Sequence, residues 1–73
     1  MTPERAVSML NTLYGPNAAT IQAAIVKEFA EYQENRIYRR NYFSAATMLA
    51  GYCKSFLQAQ KHVSGWAGIP FES

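Results

Sequence analysis

Few residues in this chain could do chemistry. It has a single cysteine, Cys53, and a single histidine, His62, and its five acidic residues are all glutamates. A thiol beside an imidazole can form a nucleophile–base pair. Here the two lie nine positions apart in a stretch that reads as one helix. At about 100° per residue this spacing places them on opposite faces, so they cannot meet. Cys53 falls on the apolar side, where an inert buried thiol is the ordinary state. His62 stands next to Lys61 in what reads as a last turn, where cations complement the helix dipole. Glu28, Glu31 and Glu34 advance by threes along a helix. Paired carboxylates do general acid–base work only in a cleft that perturbs them, and this series reads as a solvated face. One Cys, one His and no Asp are too few donors for a metal site. The glycines, at 15, 51, 65 and 68, are scattered and make no phosphate loop. The expectation is a protein that is not an enzyme and carries no cofactor and no metal.

The best candidate for binding is the run Arg36-Ile37-Tyr38-Arg39-Arg40-Asn41-Tyr42-Phe43. An arginine offers a planar fork for phosphate oxygens, and a tyrosine offers a face for a base. On a continuous helix Arg36, Arg39 and Arg40 share one side and converge on one anion, while Tyr38 and Tyr42 stack. Lys54 and Lys61, seven apart, extend a basic strip along the same protein. The competing reading is structural. The arginines would complement a helix C-terminus and bridge to glutamates, and the tyrosines would be half-buried core.

Three helices are expected to carry these residues. The first spans 3–14: Thr2 caps it, Pro3 suits the first position, and Glu4 lies near the positive end of the dipole. Ala6, Met9 or Leu10, Leu13 and Tyr14 form its apolar stripe, and Gly15-Pro16 ends it. Asn17 is expected to cap the second, spanning 17–40, with Ile21, Ile25, Phe29 and Tyr32 inward and Ala18 at its start. The third, 42–63, is the longest apolar stretch. Tyr42, Ala45, Leu49, Tyr52, Phe56, Ala59 and Val63 alternate at spacings of three and four. A bend between Asn35 and Asn41 is expected, because Asn favours caps, and Asn41 is the expected cap of the third helix. Without a bend, helices two and three fuse into one of more than forty residues. The small residues Ala46, Ala50 and Gly51 suggest a close helix crossing. The apolar tail, 64–73, carries Trp66, Ile69 and Phe71 and is expected to dock on its own bundle or in a neighbour's groove.

At 73 residues the chain is short for a self-sufficient core, yet 49% of it is hydrophobic and 14% aromatic. With no disulfide or metal within reach, self-association is the favoured remedy. The expected fold is therefore all-α, packed as an intertwined homo-oligomer. Its interface would be drawn from Leu49, Gly51, Tyr52, Phe56, Trp66 and Phe71. The net charge of +2 alone points nowhere. No helix-turn-helix fits well, since a second helix opening Ala18-Ala19-Thr20-Ile21 has almost nothing to read bases. No run is long and apolar enough to span a bilayer, no secretory leader is visible, and a lone cysteine suits a reducing cytoplasm.

The leading functional expectation is a small, self-associating binding protein. It would take a nucleotide or nucleic-acid strand at subunit junctions through Arg36, Arg39, Arg40, Tyr38, Tyr42, Lys54 and Lys61. The alternative is a protein-interaction module, an inhibitor or adaptor for a host protein, using an apolar helix face or the Trp66–Phe71 tail. Small size, helices and lack of chemistry are typical of phage and mobile-element accessory proteins.

Overall fold

The computed structural model describes residues 2–72, so Met1 and the last residue of the 64–73 tail lie outside it. The architecture is all-α. Helix α1 spans Pro3–Tyr14, a 3-10 turn covers Gly15–Asn17, α2 spans Ala18–Asn35, α3 Arg40–Cys53 and α4 Phe56–Ala67. Thr2 caps α1 as its sequence implies, its hydroxyl oxygen accepting from the Arg5 N–H at 3.2 Å. Gly15, at φ 53°, closes the helix by donating its N–H to the Asn11 carbonyl. Asn17 makes no capping bond. Its backbone is already right-handed within the 3-10 turn, so the chain passes into α2 without a separate start.

The second helix stops earlier than the expected 40. Arg36 adopts the left-handed conformation, φ 57°, and its N–H returns to the Tyr32 carbonyl at 2.7 Å. Residues 36–39 are then non-helical, and α3 begins at Arg40. The break thus falls within the expected interval, but Asn41 is not the cap. Arg39 occupies that position without a side-chain bond. The cap comes instead from α2. Glu28 Oε1 accepts from the backbone N–H groups of Asn41 at 2.8 Å and Tyr42 at 3.1 Å. Its Oε2 accepts from Asn41 Nδ2 at 2.6 Å. A carboxylate here satisfies orphan donors and lies at the positive end of the α3 dipole.

The expected single helix 42–63 is two helices. Lys54 turns left-handed at φ 58° and ends α3. Ser55 then starts α4, its Oγ accepting from the Gln58 N–H at 3.2 Å. Ser55-Phe56-Leu57-Gln58 has the spacing of a capping box, a start signal hidden inside an unbroken apolar pattern. The break folds α4 back so that it packs on both α3 and α2. Tyr52, expected on the inner face, lies near the end of α3 and is 55% exposed.

The core is formed by Ala6, Leu10, Ile25, Phe29, Tyr42, Ala45, Ala46, Leu49, Ala59 and Val63. Phe29 meets Tyr42 edge-on with centroids 5.4 Å apart. The tail folds back in the same chain, with Trp66, Ile69 and Phe71 packed on this core. The Glu72 N–H donates to Gln33 Oε1 at 2.7 Å, and Arg36 Nη2 donates to the Glu72 carbonyl at 2.6 Å. Ser64 Oγ donates to the Ile69 carbonyl, holding the turn between α4 and the tail.

Three expected interface residues, Leu49, Trp66 and Phe71, are thereby engaged within one chain. Gly51 is exposed and a Cβ there would meet nothing within 4 Å, so it marks no close crossing within the chain. The accessible surface is 4503 Å². Folded monomers of this mass expose about 4,500 Å² by the usual size scaling. Closing the core does not require a second copy.

Candidate binding surface

The arginines do not form the expected cluster on one helical side, because the helix that would have aligned them ends at Asn35. Arg36 is tied to the tail and lies over the Tyr32 ring, 5.3 Å from its centroid. Arg39 pairs with Glu31 at 3.4 Å and donates to the Tyr38 carbonyl. Arg40 is exposed and has neither an ion pair nor a side-chain hydrogen bond among the described residues. Tyr42, expected to stack on a ligand, is fully buried, and its hydroxyl accepts from Gln60 Nε2 at 2.9 Å. Burial pushes its phenol up from the ordinary value of 10.0, partly offset by the Gln60 hydrogen bond. The Tyr32 phenol nearby adds a smaller upward push. A pattern of threes and fours cannot distinguish a ring that faces a ligand from one that faces the core.

What reaches the surface is an aromatic ridge. Tyr38, 66% exposed, lies nearly parallel on Phe43, with centroids 5.0 Å apart and planes at 24°. Phe43 lies nearly parallel to Phe56 at 5.9 Å. The row therefore runs from the 36–39 connection, across α3, to the first residue of α4. Edge contacts from Tyr32 and Tyr42 to Phe43, at 5.1 and 5.0 Å, anchor it to the core. Exposed Ile37 and Leu57 adjoin its two ends in sequence. Beside the ridge runs an open groove of about 500 Å³, lined by Tyr38, Phe43, Ser44, Thr47 and Met48. Sequence reasoning named Tyr38 and Phe56 and held Phe43 in its candidate run without a role of its own, but it missed Met48. The signal for the ridge was the capping box at Ser55, which moves Phe56 onto a new helix.

Lys54 and Lys61 are exposed. They do not form a strip on one helix: Lys54 ends α3, and Lys61 lies on α4, one turn after Leu57. The partly buried Cys53 thiol donates to the Leu49 carbonyl at 3.1 Å. No group of three potential metal ligands occurs among the described residues. No described helix is long and apolar enough to cross a membrane. No protein family, curated protein or solved structure matches this chain.

Proposed function

We propose that this protein is a protein-interaction module that receives an apolar partner segment on the Tyr38–Phe43–Phe56 ridge. The observation that carries this reading is the stacked aromatic row left at the surface of a chain whose core is already closed. Aromatic side chains concentrated in one place are the usual anchors of protein interfaces. The phosphate-ligand alternative is weaker on the same geometry. Two of its three arginines are engaged within the fold, and one of its two stacking tyrosines is in the core. Phe43, between Tyr38 and Phe56, has no free face for a base.

The reading can be tested by selecting binders from a display library of helical peptides of about four turns against the intact chain. Binders should shift the NMR signals of Tyr38, Phe43, Met48 and Phe56. Tyr38→Ser and Phe56→Ser should each weaken them about tenfold or more, as truncated anchors do. Binders that map instead to the shallow α1 surface of Glu4, Val7, Ser8 and Asn11 would overturn it, as would a selection that yields none.

A further inference from the structure

Resting on the ridge reading above, we infer that the segment received is an acidic amphipathic helix of a partner protein. Its apolar side chains lie on Tyr38, Phe43 and Phe56, and its carboxylates meet Arg40, Lys54 and Lys61.

Charge is the first argument. Two carboxylates of α2 beside the start of α3 are engaged within the fold: Glu28 accepts three hydrogen bonds there, and Glu31 pairs with Arg39. The exposed cations are not spent. Arg40, Lys54 and Lys61 form no ion pair among the described residues. Their positions flank the apolar row. Arg40 stands one turn before Ser44 and two before Thr47, on the groove side of α3. Lys54 lies two residues before Phe56, and Lys61 one turn beyond Leu57. An apolar row flanked by unpaired cations complements an apolar face flanked by carboxylates.

Backbone chemistry is the second argument. A partner added as a β-strand needs a sheet edge to satisfy its own N–H and C=O groups. The described residues contain no strand. A helix arrives with its backbone already satisfied, and a groove beside a ridge accommodates its side chains.

Other occupants fit less well. A second copy related by a two-fold axis would set Arg40, Lys54 and Lys61 against the same cations. A nucleic-acid strand would find Phe43 already stacked between Tyr38 and Phe56.

The test uses the selected binders and the intact protein. Their flanks should be enriched in Glu and Asp. Replacing those carboxylates with Gln should weaken binding about tenfold, and the affinity of the acidic form should fall as salt rises. Arg40→Glu should reduce the preference for the acidic peptide while leaving the Gln form largely unaffected. Binders that occupy the ridge but lose nothing on exchange to Gln would overturn the acidic partner and leave the ridge reading standing. Peptides that do not touch the ridge would overturn both. Tighter occupation of the same residues by oligothymidylate, by vesicles rich in phosphatidylglycerol or by a second copy would also overturn the inference.

Discussion

Glu28 shows how much one side chain can do that its neighbours in sequence do not announce. Spaced by threes with Glu31 and Glu34, it reads as solvated surface. In the fold it supplies the N-terminal cap of another helix. Replacing it with Ala should lower stability by about 1–2 kcal/mol, the cost of losing a good cap. For a domain of this size that is a fall in Tm of roughly 4–8 °C per kcal/mol, measurable by circular dichroism. Tyr42 makes a second residue-scale prediction. Its phenol titrates above 10.0 in the folded chain because burial disfavours the phenolate. The folded state therefore holds this proton more tightly than the unfolded one. That contribution is intact below pH 10 and is lost as pH rises through the folded value. Urea midpoints should fall on going from pH 9 to above pH 10, and Tyr42→Phe should flatten that fall while costing stability at neutral pH through the stranded Gln60 amide.

At the scale of the element, helix content and inward faces were legible, and the breaks only partly so. Ile25 and Phe29 on α2, and Tyr42, Ala45 and Leu49 on α3, are buried as their spacing implies. The connection after Asn35 carries its signal in the flanking asparagines. The turn at Lys54 has no Gly or Pro, because a lysine takes the left-handed position. Such a residue costs about 1 kcal/mol or more there than glycine would. Lys54→Gly should thus raise the urea midpoint rather than lower it, against the usual effect of glycine. Gly51 makes the converse case. It lies inside α3 with open space where a Cβ would go. Gly51→Ala should stabilise by about 1 kcal/mol in the same assay. The arginine cluster was misread for one reason: spacing converges side chains only on a continuous helix, and the chain leaves the helix at Arg36.

For the molecule as a whole, composition argued that so apolar a chain must hide surface between copies. Within the single chain, part of that surface is covered in another way. The second break lets α4 return onto α2 and α3, and the tail covers part of what remains. Unfolding should accordingly be independent of protein concentration. Urea midpoints measured across a hundredfold dilution should coincide, whereas an obligate assembly would lose stability on dilution. The apolar residues that composition counts are of two kinds, those that close the core and those that form the ridge. No count in the sequence separates them. Only the turn at Lys54 and Ser55, by deciding which way Phe56 faces, does so.

The borrowed cap of α3 has a consequence for how the chain comes into being. Synthesis proceeds from the N-terminus, so the Glu28 carboxylate leaves the ribosome before Asn41 and Tyr42, whose amides it will hold. The receiving group is already outside when its donors emerge, so the start of α3 finds its cap available as soon as it can form.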